Sequence, residues 1–201
     1  MRHYLSFGAG VNSVALYLLM VEQGYEFEAV FSDTGCEWPE TYHYLAMFQW
    51  WTKANGLRSV TILKPLVQGT QGLMEHAEKY AMVPSFMNRW CTDKFKRRPL
   101  QKYQKKPAFV HIGFALDEAH RARISNQDGF ENRYLLIENE ITRAGCIEII
   151  RKAIALDPDS AYLQRELATI YLQNKENENA LRLVEELLAR LGAVLRRRGG
   201  Q

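Results

Sequence analysis

The chain has 201 residues, of which 47% are hydrophobic and 24% charged, and its formal net charge is +3. This balance excludes a disordered or low-complexity chain, and the length admits one substantial domain with something small attached. No apolar run reaches the length of a membrane span and the opening MRHYLSF lacks the form of a signal peptide, so a cytoplasmic protein with no membrane partner is expected. Three widely spaced cysteines, Cys36, Cys91 and Cys146, form no CxxC pair and suit reduced thiols better than disulfides. With so small a net charge, any attraction for anions must come from local clusters.

Tyr4 to Leu19 (YLSFGAGVNSVALYLL) reads as a strand, a Gly-rich loop and a helix. Gly8 and Gly10 are expected to adopt angles closed to other residues and to let the main chain approach a ligand. Asn12 and Ser13 are expected to cap a helix whose positive end binds phosphate. Such turns are also common as purely structural links. The helix should end near Gln23-Gly24, and Phe27 to Ser32 forms a second strand stopping at Asp33-Thr34-Gly35. Pro39 opens a helix carrying Tyr42, Leu45, Phe48 and Trp51 on one face and ending near Asn55-Gly56, and Val60 to Leu63 is a third strand. Strand and helix in alternation predict right-handed crossovers and a mainly parallel sheet, with ligands at the carboxyl ends of its strands beside Gly8 and Asp33.

Helices are then expected over Leu73–Tyr80 and from about Thr92 to Tyr103. Between Arg89 and Lys106 stand Arg89, Lys94, Lys96, Arg97, Arg98, Lys102, Lys105 and Lys106 against Asp93 alone. A solvated helix face explains most such runs; an anion site is the alternative, because the run starts beside Trp90 and Cys91. A strand over Ala108–Phe114 ends in Asp117, Glu118, His120 and Arg121, Arg133–Ile137 is expected as a fifth strand, and Ile141–Ala153 as a helix. His111 lies within a strand and reads as structural, with His120 a weak acid–base candidate.

SFGAGVNS (Ser6–Ser13), SDTGCEWPET (Ser32–Thr41), RWCTDKFKRRPL (Arg89–Leu100), HIGFALDEAHRAR (His111–Arg123) and the stretch Glu131–Ala153 together resemble the phosphoadenosine phosphosulfate reductase family of the PP-loop, or adenine nucleotide alpha hydrolase-like, superfamily. The resemblance implies a Rossmann-like α/β domain with a mainly parallel five-stranded sheet and flanking helices. It also implies an adenine nucleotide, ATP or an adenosine phosphosulfate, as small-molecule partner. Ser6, Gly8, Gly10, Asn12 and Ser13 would hold its phosphates, Asp33 and Thr34 would face it, and Arg89, Lys96 and Arg121 would supply counter-charge. Lys96 has the alternative of a solvated helix residue, and Arg121 that of a partner to Asp117 or Glu118.

The implied activity is reduction of, or sulfur transfer from, an adenylyl-sulfate-like substrate, with Cys91 as the catalytic thiol. Alternatives are a catalytically impaired binding or scaffold protein and, less favoured, a PP-loop enzyme modifying nucleic acid. Several departures weaken the case for catalysis. Val11 stands where ATP pyrophosphatases often carry a lysine, the terminal cysteine motif of assimilatory reductases is absent, and no CxxC pair follows Cys146. An iron–sulfur cluster or other metal is therefore not expected. Cys91 is left as a reactive thiol, an orphaned cluster ligand or a small buried hydrophobe, whereas Cys36 and Cys146 are expected to be buried apolar side chains.

Beyond Ala153 the text changes to IALDPDSAYLQRELATIYLQNKENENALRLVEELLARLG, which resembles one tetratricopeptide repeat. Residues 1–153 are thus expected to form the nucleotide-binding domain, 154–195 a helical hairpin (Ser160–Gln173 and Asn177–Leu191), and 196–201 a basic tail. A lone repeat cannot bury its own apolar face. The hairpin would have to pack on the first domain, on another copy or on a protein partner, and the abrupt switch suggests a fusion, natural or engineered.

Overall fold

The computed structural model describes residues 1–85, 88–125 and 127–156; the expected hairpin and tail lie outside them. Five strands form one sheet: β1 (Arg2–Ser6), β2 (Glu28–Ser32), β3 (Thr61–Leu63), β6 (Ala108–Ile112) and β7 (Phe130–Arg133), in the order β3-β2-β1-β6-β7. Every adjacent pair is parallel. A two-stranded antiparallel hairpin, β4 (Leu66–Val67) and β5 (Thr70–Gln71), stands apart from this sheet. The parallel α/β class expected from alternating periodicity is the observed one.

The alternation of side chains along β1 divides the interior in two. Leu5 and Phe7, with Ala29 and Phe31 of β2, join the larger core beneath α1 (Val11–Glu22), α2 (Pro39–Ala54) and α7 (Arg143–Leu156). Tyr4, Val30 and Ala108 form a smaller core on the other face, touched by Leu100 of α5 (Arg98–Tyr103). Helix α1 is apolar almost all round because it lies between the sheet and α7: Val14, Ala15, Leu16 and Met20 are fully buried. Burying Val14, Leu16 and Met20 contributes about 1.5–3 kcal/mol each. Around it an aromatic cluster closes the core, with Phe7 stacked on Phe48 at 5.0 Å and Tyr17 edge-on to both Phe48 and Phe27 at 5.0 Å.

Four expectations are corrected. The fifth strand is Phe130–Arg133, and the apolar run after it is a helical turn, α6 (Leu135–Glu138). Glu138 reaches back to accept from the Tyr134 backbone N–H at 3.1 Å and from Arg133, which caps the turn and competes with strand pairing. A short apolar run does not itself distinguish the two states. The helix expected from Thr92 begins earlier, as α4 (Trp90–Thr92), passes through a π turn (Asp93–Arg97) and continues as α5. Cys36 is exposed, because it follows the turn at Asp33–Gly35 rather than lying in a strand or on the buried face of a helix, whereas Cys146 is buried as expected. Helix α7 spans Arg143–Leu156, where a helix over Ile141–Ala153 is expected.

His111 of β6 is 1% exposed, and its Nε2 lies 2.9 Å from Nδ1 of His3 on β1, while its own Nδ1 has no hydrogen-bond partner. Burial first, then the neighbouring His3 and Arg133, push its pKa down to about 4, with Glu138 opposing them. Between about pH 6.5 and 4 the unfolded chain therefore binds a proton that the folded chain refuses, so stability rises with pH through that window and falls on acidification. Unfolding free energy measured by urea titration should drop by something on the order of 3 kcal/mol across this window. His111→Leu should flatten that acid limb, and an unchanged limb would show that His111 does not set it.

Candidate functional site

The chain leaves β1 for β2 on one side and reaches β6 on the other, so the sheet order reverses between β1 and β6, where ligands of open α/β sheets bind. Ser6 and Ile112 are register partners at the carboxyl edge of this junction. Both line a cleft of about 640 Å³ on the sheet's less covered face. Its floor carries Val110, Leu100 and Phe130, and its rim Lys96, Arg97 and Arg123. Gln104, 7% exposed, also lines it and holds a buried amide nitrogen with no partner. Ser6 and Lys96 are the sequence-derived site residues that line this cleft.

The loop between β1 and α1 differs in mechanism from the sequence expectation. Its left-handed residue is Ala9, at φ 55°, while Gly10 is extended at φ −103° and ψ 169° and is itself the N-cap of α1. What the glycines provide is space, since a Cβ on Gly8 or Gly10 would meet nothing within 4 Å. Ser13 does not present its hydroxyl to a ligand: it donates to the Gly10 carbonyl at 2.8 Å and accepts from the Gly10 N–H at 3.1 Å, closing the first turn. Asn12 is not the cap either. Its Nδ2 donates to Glu118 at 2.8 Å and its Oδ1 accepts from Arg143 at 3.0 Å. The donors left to the loop are main-chain groups at the start of a twelve-residue helix.

Asp33 and Thr34 lie at the carboxyl end of β2, as expected, and both are engaged. Asp33 accepts from the Gly35 N–H at 2.8 Å and the Tyr42 hydroxyl at 2.7 Å. Burial, then this bond, raises the Tyr42 pKa to about 12, so it stays a donor. Thr34 donates to Glu37 at 2.9 Å, and Glu37 pairs with Lys96 at 2.8 Å. Lys96 is thereby tied across from its helix to the β2 turn. The helix is docked by a buried bond from the Ser32 hydroxyl to the Phe95 carbonyl at 2.6 Å, inside the π turn, where the widened backbone turns a carbonyl outward.

Arg121 pairs with Glu118, the structural alternative the sequence offered, and its guanidinium lies 4.3 Å over the Phe114 ring. Arg89 is exposed at the start of α4, and the half-buried Cys91 has its Sγ 4.0 Å from the Thr92 hydroxyl; neither lines the cleft. Burial pushes the Cys146 thiol up to about 12. Among the described residues no group of three or more His, Cys, Asp or Glu is arranged to hold a metal, and no helix is long and apolar enough to cross a membrane. Sequence reasoning missed Glu37, Tyr42 and Arg143, whose roles depend on contacts across the fold. A carboxylate following a strand-end turn was the one available hint, for Glu37.

A family model described as the phosphoadenosine phosphosulfate reductase domain matches residues 2–127. The chain belongs to that family. Among solved structures it is similar to the phosphoadenylyl-sulfate (PAPS) reductase from Candida auris, crystallised as a phosphate complex, at a TM-score of 0.56. Identity is 18%, over 79% of this chain and 78% of that one, so the likeness is one of fold. No curated protein sequence matches the chain. The family-matched segment contains β1 and the basic helix, which bring Ser6 and Lys96 to the cleft.

Gly113, just after β6, locks this domain's loop to its sheet. A Cβ there would stand 3.2 Å from the Ser13 nitrogen and 3.3 Å from the Asn12 carbonyl, both backbone atoms with little room to give. Gly113→Ala should cost about 1–3 kcal/mol, read as a lower denaturant midpoint. It should also speed amide exchange in the first turn of α1, and slow exchange there in the variant would mean that the contact relaxes without disturbing the loop.

Proposed function

We propose that the chain binds an adenine nucleotide of the adenosine phosphosulfate type, with phosphate or sulfate oxygens at the main-chain donors opening α1. The observation that carries this reading is the open backbone cradle at Gly8 and Gly10, beside the reversal of strand order. Lys96, Arg97 and Arg123 on the cleft rim supply cations for the anionic part. Ser6 lies where the loop leaves the sheet, and Asp33 and Thr34 shape the neighbouring wall through Tyr42 and Glu37. In the catalytic version, the Cys91 thiolate attacks the substrate sulfur and the S–O bond to the nucleotide breaks. The protein is left with a cysteine S-sulfonate, and the adenosine phosphate departs with the bonding pair.

A second reading, binding without turnover, is favoured by Val11 in the loop and by the absence of Cys91 from the cleft lining. Both readings share the binding step. Gly10 has backbone angles any residue can adopt and an empty Cβ direction, so Gly10→Val should fold normally and fill the cradle. Calorimetric titration with adenosine phosphosulfate and ATP should show affinity at least tenfold weaker in the variant, about 1.4 kcal/mol, with unchanged far-ultraviolet circular dichroism. Equal affinity would make the loop structural, and failure of the parent chain to bind either compound would end the nucleotide assignment. With a dithiol added to reduce the S-sulfonate to sulfite and free thiol, Cys91→Ser should leave binding intact and abolish sulfite release.

A further inference from the structure

The basic run between Arg89 and Lys106 serves two sides of one helical segment. Lys96 and Arg97 line the cleft already described, whereas Lys94, Arg98 and Lys102, spaced four residues apart, line a second groove of about 720 Å³ at the open edge of the sheet. Lys64 faces them from the end of β3, which is an outermost strand. Four cations therefore line this groove, and no acidic side chain does so among the described residues. Between them lie Ile62, 37% exposed, and Leu66, 67% exposed.

Two of the cations are held in place from behind. Thr70 donates to the Val67 carbonyl at 2.6 Å, so its oxygen accepts from Nδ1–H of the fully buried His76 at 3.0 Å. Nε2 of His76 is then the acceptor for the Lys94 ammonium, at 3.2 Å, and Lys94 also lies 5.7 Å over the Trp90 ring. Arg98 is fixed by Asp93 at 2.6 Å. Lys94 thus spends one of its three donors on a neutral imidazole and keeps two for a ligand. The site is assembled before any ligand arrives, which lowers the ordering cost of binding.

The ligand must be extended, anionic and in part aliphatic. A nucleic acid strand would be expected to stack its bases on several rings. Among the described residues the groove offers Tyr103 alone, whose hydroxyl is tied to Glu28. The β3 edge favours a polypeptide instead. The Leu63 carbonyl accepts from Asp33 N–H at 2.8 Å, which turns the peptide groups of Ile62 away from β2 and toward the free edge, where an added strand can pair. We propose that this groove docks an extended acidic segment of a partner polypeptide, with carboxylates on Lys64, Lys94, Arg98 and Lys102 and aliphatic side chains on Ile62 and Leu66.

The test uses the full chain and fluorescence anisotropy of a labelled short peptide alternating aspartate with leucine. Saturable binding that weakens with added salt is expected, with loss of binding when asparagine replaces aspartate in the peptide. Lys64→Glu combined with Lys102→Glu, both at exposed positions, should weaken binding at least tenfold while nucleotide affinity at the cleft stays as in the parent. Leu66→Asp, which removes no cation, should weaken it as well. An oligothymidylate of matching length that binds more tightly than the acidic peptide would overturn the proposal in favour of nucleic acid. Absence of saturation, or peptide affinity indifferent to the charge reversals, would overturn it outright.

Discussion

The parallel pairing of β1 with β6 is the constraint on which the rest of this molecule depends. Five consecutive register pairs, from Arg2↔Ala108 to Ser6↔Ile112, bring together two strands separated by a hundred residues of chain. Because the connection returns to the far side of β1, the start of α1 emerges at the reversal of strand order. The contact of Gly113 with the backbone of Asn12 and Ser13 then fixes the height of that helix start above the sheet. Loop shape here follows from strand pairing more than from glycine's freedom, as the extended angles of Gly10 make plain.

Electrostatics at the mouth of the cleft are more balanced than a count of cations suggests. Lys96 is paired with Glu37, and Arg97 shares Asp93 with Arg98 of the second groove. These pairs are partly exposed and individually weak, so an incoming anion can exchange with a carboxylate at modest cost. Such exchange favours a ligand bearing several negative groups over one bearing a single charge. It also couples the β2 turn to the basic helix, since the Glu37 carboxylate that pairs with Lys96 also accepts from Thr34.

The elements legible in the sequence were those whose periodicity is local. The run YLSF followed by VALYLL, the FEAVFS strand and the Pro39 helix all lie where alternation and turn residues put them. The β4–β5 hairpin escaped because each strand has two residues, too few for any period to register. α6 was misread because Glu138, not the apolar run, decides its conformation. In the candidate site, residue types were legible and partners were not. Asn12 looked like a cap, yet its carboxamide bridges residues 106 and 131 positions away, a relation that no local pattern encodes.

The π turn at Asp93–Arg97 has a consequence for how this chain tolerates length change. A helix advances about 100° per residue, so losing one residue inside the turn would restore ordinary winding and rotate everything after it by roughly that angle. Phe95 would no longer offer its carbonyl to Ser32, and the lysines and arginines downstream would exchange sides. The extra residue therefore acts as a phase setting for the whole segment. Substitutions of surface charge there are mild, whereas a one-residue deletion would disconnect the helix from the sheet and scramble both basic faces at once.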